Sequence, residues 1–319
     1  MMKSITELYH KIPALKKLVR GGINLSHYFW THFVPDRYYI QRRFKTKMGY
    51  YFDIDNPITL NEKINWLKLH SRTPLHTQCS DKYAVRDYVR EKVGEEYLVP
   101  LFLMTKDVGE INAENLPNKP FIVKTNHDSG GGVVIKDKSK VDWIDLQKKL
   151  SKRLKQNYYY KSKEWQYKNI DRCIIVEKLL SGHEGDLPFD YKLHCFNGQV
   201  TMIQVDTGRY TQSHHRNWYN INWEREPYKW SSKIGANLYT DPSSDDVEKP
   251  KNLATMIELS EVIAKDFDSV RVVWYDVDGK LYFGEITFHH DGGTRPILPP
   301  EWDKKLGERL RLSPLPTSR

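Results

Sequence analysis

The sequence predicts an α+β fold, in which strands and helices are mixed along the chain rather than strictly alternating. Two hairpin signals and one helix start point to this class. Asn197-Gly198 and Asp278-Gly279 each interrupt an apolar stretch, and such dipeptides are typical of tight β-hairpin turns. A capping-box helix start stands at Thr59. With 319 residues, 39% of them hydrophobic, the chain can form two domains or one large composite domain.

The N-terminal segment carries most of the excess positive charge. Residues 1–50 hold ten Lys and Arg against Glu7 and Asp36, so this segment contributes +8 to the formal net charge of +9. The stretch 4–30 is typical of a short basic amphipathic helix, a Gly-Gly break and an aromatic segment, which could lie on a membrane surface or pack on the fold. A basic surface indicates an anionic partner, whereas a second basic run at 136–169 also fits a solvated helix face.

The first elements are helices followed by a short strand. The capping box of Thr59 and Glu62 predicts a helix in NPITLNEKINWLKLHSR. A second helix is predicted in SDKYAVRDYVREKVG, with Ser80 as its N-cap and Gly94 as its stop. The apolar run at 96–104 is predicted to be a buried strand.

From residue 120 onward the sequence predicts more strands than helices. Residues 139–170 are predicted to be helical, because Trp143, Leu146 and Leu150 recur on one face. The other predicted elements are strands at 120–126, 132–137 and 173–180, a loop at 181–188, hairpins at 191–208 and 270–288, an irregular segment at 213–230, a helix at 250–268, a loop at 289–300 and a short C-terminal helix.

The sequence lacks a signal-peptide cleavage pattern and an apolar run of about 18 or more residues. Its three cysteines, Cys79, Cys173 and Cys195, are an odd set without metal-ligand spacing. We therefore expect a soluble or peripheral cytoplasmic protein with reduced thiols.

The stretch VKTNHDSGGG joins a lysine on a strand to a glycine turn. A glycine-rich turn lets backbone N–H groups approach phosphate oxygens, and Lys124 could place its ammonium on the same phosphates. The motif is not a P-loop, because no Gly-Lys-Ser/Thr follows and no helix opens after it. An ordinary hairpin turn is the alternative, and His127 and Asp128 could serve only as turn formers.

The order of these motifs resembles the ATP-grasp superfamily and, more closely, the TupA-like ATP-grasp family from about Pro35 to Gly307. The resemblance is carried by NPITLNEKINWLKLH, DKYAVRDYV, VKTNHDSGGG, FDYKLHCFNGQV, HRNWYNINW and YFGEITFHHDGG. It implies an ATP-grasp fold, with two α+β subdomains that clamp ATP behind a basic helical extension. The expected domains are the extension at 1–75, a small subdomain with a glycine-rich lid at 76–185, a large subdomain with the metal and acceptor site at 186–307, and a tail at 308–319.

The resemblance also implies residues that bind ATP. Lys82 and Lys124 match two family lysines that contact the nucleotide phosphates. Glu177 and Glu184, seven residues apart, match the adenine hinge and the ribose ligand, although a surface charge is the alternative for Glu177. The remaining implied nucleotide-binding residues are Ser129, Gly130, Gly131, Gly132 and Leu179.

Arg271, Glu285 and Lys192 are the catalytic residues that the resemblance implies, although Lys192 could instead be a surface lysine of its strand. The family's Arg-x-Asp pattern is Arg271-Val272-Val273 here, so a valine stands where a metal-binding aspartate is expected. Asp276 would point to the opposite face of the strand, because side chains alternate. Mg²⁺ would then be held by Glu285 and Thr287, with His289 or Asp291 completing the shell through water.

The implied activity is that of an ADP-forming carboxylate–amine ligase. It would activate a uronic-acid carboxylate of a cell-surface polysaccharide as an acylphosphate and couple it to an amino-acid amine. The expected substrate-binding residues are Arg209, His214, His215, Arg216, Trp218, Gly292 and Gly293. Arginine and histidine would pair the carboxylate, and the tryptophan would stack on a sugar face. A zinc site at the paired histidines lacks a plausible third ligand.

Three other functions stay open at this stage. The protein could bind ATP and glycan without catalysis, because of the valine at 273, or phosphorylate a sugar hydroxyl. Nucleic-acid binding would also suit the basic charge, but no known nucleic-acid module is found, so no nucleic-acid partner is expected. We expect a cytoplasmic location, with contact to the inner membrane face or to glycan-assembly machinery as an option. The sequence does not set the oligomeric state.

Overall fold

The computed structural model describes residues 25–182, 187–209, 211, 213–236 and 238–314. The predicted amphipathic helix before residue 25 and the predicted ribose ligand Glu184 lie outside these ranges. Two antiparallel sheets and the helices packed on them form the described chain, which confirms the α+β prediction. Residues from both sheets line a cleft between them.

The first sheet has four short strands in the order β1-β4-β2-β3. They are β1 (Leu101–Thr105), β2 (Phe121–Thr125), β3 (Val133–Ile135) and β4 (Ile174–Lys178). Along β2, Phe121, Val123 and Thr125 are buried, whereas Ile122 and Lys124 are only half-buried. This is the period-two alternation of a strand with one covered face. Lys124 therefore faces the cleft, where it lines a cavity between the sheets.

The second sheet has five strands in the order β7-β6-β5-β8-β9. They are β5 (Asp190–Phe196), β6 (Gln199–Thr207), β7 (His215–Tyr219), β8 (Ser269–Val277) and β9 (Lys280–Thr287). One face forms the largest core cluster, with Leu193, Val272 and Trp274 packed beneath a helix that contributes Met256. The opposite face carries the polar side chains of the cleft.

Both predicted hairpin turns are confirmed. Asn197 and Gly198 have φ values of 50° and 83°, and Asp278 and Gly279 have φ values of 53° and 84°. Two successive left-handed residues are typical of the turn whose twist matches that of the flanking strands.

The α-helices pack around the two sheets. They are α1 (Asp36–Met48), α2 (Leu60–His70), α3 (Pro74–Ser80), α4 (Val85–Lys92), α5 (Trp143–Leu154), α6 (Tyr158–Ser162), α7 (Leu253–Ala264) and α8 (Glu301–Arg309). Residues 25–32 are also helical. The capping box of α2 is confirmed, since the hydroxyl of Thr59 accepts from the N–H of Glu62 and the Glu62 carboxylate accepts from the N–H of Thr59. Within the described ranges, no helix is both long and apolar enough to cross a membrane.

Three sequence predictions of elements were wrong. Ser80 ends α3 instead of capping the next helix, because the Asp81 carboxylate accepts from the N–H groups of Tyr83 and Ala84 and forms a turn before α4. Residues 139–170 are not one helix but α5, α6 and two short 3-10 turns, with Asn157 capping α6. The segment predicted to be irregular contains the edge strand β7, which is almost wholly buried and so lacks an alternating pattern.

Helix α2 fixes the loop that follows β9. The side-chain amide of Asn65 donates to the carbonyl of Gly293 (2.6 Å), and the ammonium of Lys68 donates to the carbonyl of Gly292 (2.5 Å). Gly292 and Gly293 have φ values of 62° and 60°, which side chains rarely adopt. This loop is therefore held rigidly at the edge of the cleft.

Candidate active site

Two adjoining cavities lie in the cleft, and Gly284 of β9 borders both. The apolar cavity has a volume of ≈ 480 Å³ and the polar cavity one of ≈ 350 Å³. Both volumes are within the roughly 300–1,000 Å³ that is usual for small-molecule sites. The apolar cavity is lined by Val99, Ile122, Leu179, Leu180, Pro188, Tyr275 and Phe283, with Lys124, Glu177, Asp190 and Arg209 among its polar groups.

Lys124 and Glu177 meet on the wall of the apolar cavity. The Lys124 ammonium lies 2.6 Å from the Glu177 carboxylate, whose other oxygen accepts from Arg86 at 3.1 Å. Two predicted nucleotide ligands are thus paired with each other. The N–H of Leu179 already donates to the carbonyl of Pro120 (3.2 Å), so this backbone donor is used within the sheet.

The glycine loop between β2 and β3 encloses the side chain of Arg153. The Arg153 guanidinium donates to the Asp128 carboxylate (2.8 Å from Nε) and to the carbonyl of Gly130 (2.5 Å). A Cβ at Gly131 would stand 1.6 Å from Nη1 of Arg153, and Gly130 and Gly131 both have left-handed φ values, 72° and 82°. The glycines are therefore needed for this close wrap. No local motif singled out Arg153, which belongs to the basic run 136–169 that fits either an anionic partner or a solvated helix face.

Lys82 connects the glycine loop to the second sheet. Its ammonium donates to the carbonyl of Asp128 and lies 3.9 Å from the Asp128 carboxylate. Burial lowers the pKa of Lys82, and the charge of Glu285 on β9 only partly opposes this effect. The neighbouring His127 is buried, with Nε2 3.2 Å from the carbonyl of Arg153 and 3.1 Å from that of Gln156, so it ties the loop to the end of α5.

A buried network of charges occupies the cleft face of β5, β6 and β7. The Lys192 ammonium donates to the Asp206 carboxylate and lies 3.9 Å from Asp190. Arg216 donates to the other oxygen of Asp206 (2.8 Å), and Arg209 donates to Asp190. Lys192 is thus a buried lysine and not a surface residue of its strand.

The electrostatics of this network keep Asp206 ionised. Burial alone would raise the pKa of Asp206, but the nearby His214 imidazole and the charges of Lys192 and Arg216 hold it well below its usual range. Burial also lowers the pKa of Lys192, against the attraction of Asp190 and Asp206. Lys192 could therefore bind an anionic ligand in place of one of its two carboxylate partners.

Arg271 of β8 and Glu285 of β9 form the junction of the two cavities. The Arg271 guanidinium donates to Glu285 (2.9 Å), to the hydroxyl of Thr287 (2.8 Å) and to Nδ1 of His290 (2.8 Å). The Glu285 side chain is 45% exposed to the cleft. Its confined position opposes ionisation, but the charges of Arg271 and Lys82 outweigh this and lower the pKa of Glu285. Glu285 is thus an ionised carboxylate that can reach a ligand.

The donor set at this junction fits a divalent cation held through one protein carboxylate. Within the described ranges, no cluster of three or more His, Cys, Asp or Glu side chains is placed to hold a metal ion. Val273 is 1% exposed and lies against Gly284, while Asp276 accepts from Asn252 and from the N–H of Gly279 and so belongs to the hairpin turn. Mg²⁺ often keeps several waters and binds through one or two carboxylates plus substrate phosphates, so Glu285 could hold it together with a nucleotide.

The polar cavity has a wall that the sequence did not predict. Tyr158, Glu164 and Tyr167 come from the segment around α6, and Arg43, Lys47 and Arg295 come from α1 and the loop after β9. Burial and then the Glu164 charge raise the pKa of Tyr158 to about 12. These residues share no local spacing, so only the tertiary structure brings them together.

The predicted substrate-binding residues are only partly brought together. Arg216 and Gly292 line the polar cavity, whereas Arg209 lines the apolar cavity. Nδ1 of His215 lies 3.1 Å from the carbonyl of Asp241, and Nε2 of His214 lies 3.7 Å from Asp206. Gly293 is packed against α2.

Trp218 does not offer a free ring to a sugar in this structure. It is 1% exposed, and its indole stacks on that of Trp230 with a centroid distance of 5.4 Å. The pair belongs to a core cluster that also contains Tyr228. The predicted stacking on a sugar therefore finds no accessible face at this position.

A model of the TupA-like ATP-grasp family matches residues 62–311. No protein of curated function matches the chain.

Three solved structures have similar folds at low identity. A D-alanine–D-alanine ligase from Bacillus anthracis is 17% identical, with a TM-score of 0.39 over 72% of this chain and 63% of that one. An L-amino acid ligase from Bacillus licheniformis is 12% identical, with a TM-score of 0.41 over 82% of this chain and 57% of that one. The ATP-grasp ligase PsnB with a minimal precursor is 11% identical, with a TM-score of 0.36 over 68% and 53%. The chain spans less than two thirds of the length of each of these proteins.

Proposed function

The chain belongs to the TupA-like ATP-grasp family, and from this premise we propose that it is an ATP-dependent carboxylate–amine ligase. It would transfer the γ-phosphoryl group of ATP to a substrate carboxylate, which gives an acylphosphate and ADP. An amine would then displace phosphate and form an amide. The observation that carries this proposal is the joining of an apolar cavity and a polar cavity beside Lys82, Arg271 and Glu285.

The apolar cavity suits the base of the nucleotide. Ile122, Leu180 and Phe283 offer apolar walls from both sheets, beside a smaller number of polar groups that could orient the base. The phosphates would leave this cavity toward Gly284, past Lys124. Because Lys124 is paired with Glu177, the phosphate oxygens would have to draw the ammonium from the carboxylate.

The junction of the cavities suits the phosphoryl group that is transferred. Lys82, Lys192 and Arg271 bring three cations within electrostatic range of Glu285. Preorganised cations stabilise the charge that spreads over the oxygens of a phosphoryl group in the transition state. Glu285, with Thr287 beside it, would hold Mg²⁺, which when bound would neutralise the charge of the phosphates. Arg271 would release Glu285 and turn to the transferred group.

We further propose that the carboxylate belongs to a uronic acid of a cell-surface polysaccharide. The formal net charge of +9 favours an acidic polymer, and this attraction should weaken with salt. Arg216 and the turn at Gly292 line the polar cavity, where a uronate carboxylate could reach the transferred phosphoryl group.

The test is ADP release from the purified chain with ATP, Mg²⁺, a uronic-acid oligosaccharide and an amino-acid mixture. We expect ADP only when both co-substrates are present, and mass spectrometry should find an amide between them. The isosteric variant Glu285→Gln should abolish release, whereas Glu226→Gln, a buried carboxylate beside Arg309, should leave it unchanged. ATP binding without ADP release for any uronate and amino-acid pair would contradict the ligase. A phosphorylated sugar as the product would identify a kinase instead.

Val273 favours one second candidate, an ATP- and glycan-binding protein without catalysis. A valine at this position cannot ligate a metal, and Glu285 is then the carboxylate left at the junction. ATP and glycan binding by calorimetry, with no ADP under any co-substrate pair, would support this candidate.

We also propose that the N-terminal region associates with a membrane face. Leu25, Tyr28, Phe29 and Phe33 are more than half exposed and follow one side of the helical segment 25–32. An exposed apolar stripe beside basic residues is typical of helices that lie in the interface of anionic bilayers.

A further inference from the structure

The polar cavity carries opposite charges that do not neutralise each other. Arg43, Lys47 and Arg295 line it, and within the described part of the chain none of the three pairs with a carboxylate. Glu164 lines the same cavity, and no ion pair joins it to Arg43 among the described residues. A cavity wall with a separated cation and anion is complementary to a ligand that carries both charges.

Glu164 is the buried anion of this wall. It is 7% exposed, and from the described residues its carboxylate receives a long hydrogen bond of 3.4 Å from Gln166 and lies 3.5 Å from Nδ1 of His289. Among the described residues, no lysine or arginine forms an ion pair with this carboxylate. A buried carboxylate without a cationic partner in contact is costly, unless a ligand supplies that partner.

Two tyrosines of this wall, Tyr158 and Tyr167, lie close enough to its charged groups to be affected by them. Glu164 and Arg43 both act on the hydroxyl of Tyr158, the first raising and the second lowering its pKa after the effect of burial. Glu164 and Glu285 both act on Tyr167, whose pKa burial raises well above its usual value. Glu164 lies 3.5 Å from Nδ1 of His289, which follows Thr287 at the end of β9, so it is on the junction side of the cavity. Arg43, which donates to the carbonyl of Lys161, is on the α6 side.

From this arrangement we infer that the polar cavity holds a binding site for the amine co-substrate as an α-amino-acid zwitterion. The Glu164 carboxylate binds the ammonium, on the side that faces the junction. Arg43 binds the α-carboxylate, with Lys47 and Arg295 adding positive potential. The nucleophilic nitrogen is thus directed toward the acylphosphate, and the carboxylate is held away from it.

Helix α1, which lies before the segment that matches the family model, contributes part of this site. Arg43 and Lys47 precede the segment 62–311 that matches the family model. Arg43 is fixed there by donating to the carbonyl of Lys161 (2.8 Å), next to α6. The basic extension therefore contributes a wall of the site, beyond any role at a membrane.

The inference rests on the proposed ligase function, but its test is a binding measurement. The twenty standard L-amino acids, their C-terminal amides and their N-acetyl derivatives are screened by saturation-transfer NMR against the full chain with a non-hydrolysable ATP analogue. We expect at least one free amino acid to bind more tightly than its amide and its N-acetyl form. Charge-assisted hydrogen bonds of this kind predict roughly 10- to 100-fold differences in affinity.

Two variants test the carboxylate-binding end and the ammonium-binding end of the site one at a time. Arg43→Gln should weaken the free amino acid and leave its amide unchanged, so discrimination between them is lost. Glu164→Gln should abolish discrimination against the N-acetyl form. Arg42→Gln is the matched control on α1, since Arg42 covers Trp30 outside the polar cavity. Glu226→Gln, at a carboxylate whose side chain is 8% exposed, is the control for the loss of a buried carboxylate.

The outcomes separate this inference from the ligase proposal. Amino-acid binding that depends on Arg43 and Glu164, without turnover, would uphold the site and contradict the ligase. ADP release that depends on an amino acid but is unchanged in both variants would uphold the ligase and overturn the site. Weaker binding of a uronic-acid oligosaccharide in Arg43→Gln, with amino-acid binding unchanged, would also overturn the site.

Discussion

The ammonium of Lys124 lies 2.6 Å from the carboxylate of Glu177, across neighbouring strands of the first sheet. The same carboxylate accepts from Arg86, so it is paired twice. When a phosphate binds Lys124, Glu177 therefore still has Arg86 as its partner. The pair can open for a nucleotide at little cost, because no buried charge is left uncompensated.

The variant Lys124→Met should lose nucleotide affinity without losing stability. Removal of one charge-assisted contact to phosphate predicts roughly 10- to 100-fold weaker ATP binding by calorimetry. Because Glu177 keeps Arg86, the free energy of unfolding should change by about 1 kcal/mol or less. Lys106→Met, which removes an exposed ion pair with Asp171, is the control and should bind ATP normally. Unchanged ATP affinity in Lys124→Met would argue against a phosphate contact.

The glycine loop allows a matched pair of substitutions. Gly130 and Gly131 both have left-handed φ values, but a Cβ meets nothing within 4 Å at Gly130 and overlaps Arg153 at Gly131. Both alanine variants should bear a similar backbone strain of about 1–2 kcal/mol. Only Gly131→Ala should also displace Arg153 and raise the KM for ATP severalfold. The double variant Gly131→Ala with Arg153→Ala should recover part of this loss, and equal effects of the two single variants would exclude a role of the clash.

Local signals predicted the parts of the fold that neighbouring residues determine. The two hairpin turns and the capping box at Thr59 depend on backbone conformations and hydrogen bonds within four residues, so they were predictable. Ser80 looked equally good as a cap, but the next residue, Asp81, accepts the N–H bonds instead. The strand β7 lacked a pattern because both of its faces are covered.

From the sequence, only those residues of the candidate site that stand in recognisable motifs could be predicted. Lys82, Lys124 and Glu285 stand in stretches whose order along the chain resembles a family, and they line the two cavities. Arg43 and Glu164 stand in stretches without such a motif. They come together because α1 packs against the α6 region, and no spacing in the sequence encodes that contact.

The variant Val273→Asp should change how the enzyme uses Mg²⁺. Val273 pairs with Lys192 in the register of β5 and β8, so a carboxylate there would face the cleft beside Lys192 and near Glu285. A second carboxylate should lower the Mg²⁺ concentration for half-maximal ADP release. Burial of the new charge should cost about 1–3 kcal/mol of stability by denaturant unfolding.

The control for this substitution is Val273→Asn, which has nearly the same shape and no charge. It should reproduce the loss of stability but not the shift in Mg²⁺ dependence. Equal Mg²⁺ curves for the aspartate and asparagine variants would contradict a metal role at this position. A loss of turnover in Val273→Asp at every Mg²⁺ concentration would indicate that the natural site works best with one carboxylate.

Lys68 should give the protein a pH-dependent stability in the alkaline range. Burial lowers the pKa of Lys68 from its usual 10.5 to about 8. Between these values the unfolded chain binds a proton that the folded chain does not, so the free energy of unfolding should rise with pH. Each pKa unit corresponds to about 1.4 kcal/mol, so the rise is at most about 3 kcal/mol.

The comparison that isolates Lys68 is urea unfolding of the natural chain and of Lys68→Met from pH 7.5 to about 10.5. The difference in stability between the two proteins should shift in favour of the natural chain as pH rises. Lys63→Met on the same helix, where Lys63 donates to the carbonyl of Gly307, is the comparison: burial lowers the pKa of Lys63 too, so its difference should shift in the same direction but by less. A pH-independent difference for Lys68→Met would show that its ammonium keeps its charge throughout the range.

The exposed apolar side of the helical segment 25–32 should bind anionic bilayers. Phe29 and Phe33 are more than half exposed, and α1 places Arg42 and Lys45 close by in the chain. The double variant Phe29→Glu with Phe33→Glu should lose co-sedimentation with vesicles that contain phosphatidylserine, because it removes apolar insertion and adds repulsion. The matched variant Ile144→Glu changes an equally exposed apolar residue on α5 and should still bind. Equally strong binding to neutral phosphatidylcholine vesicles would overturn the membrane role of this stripe. So would a double variant that still binds vesicles but changes from dimer to monomer by light scattering.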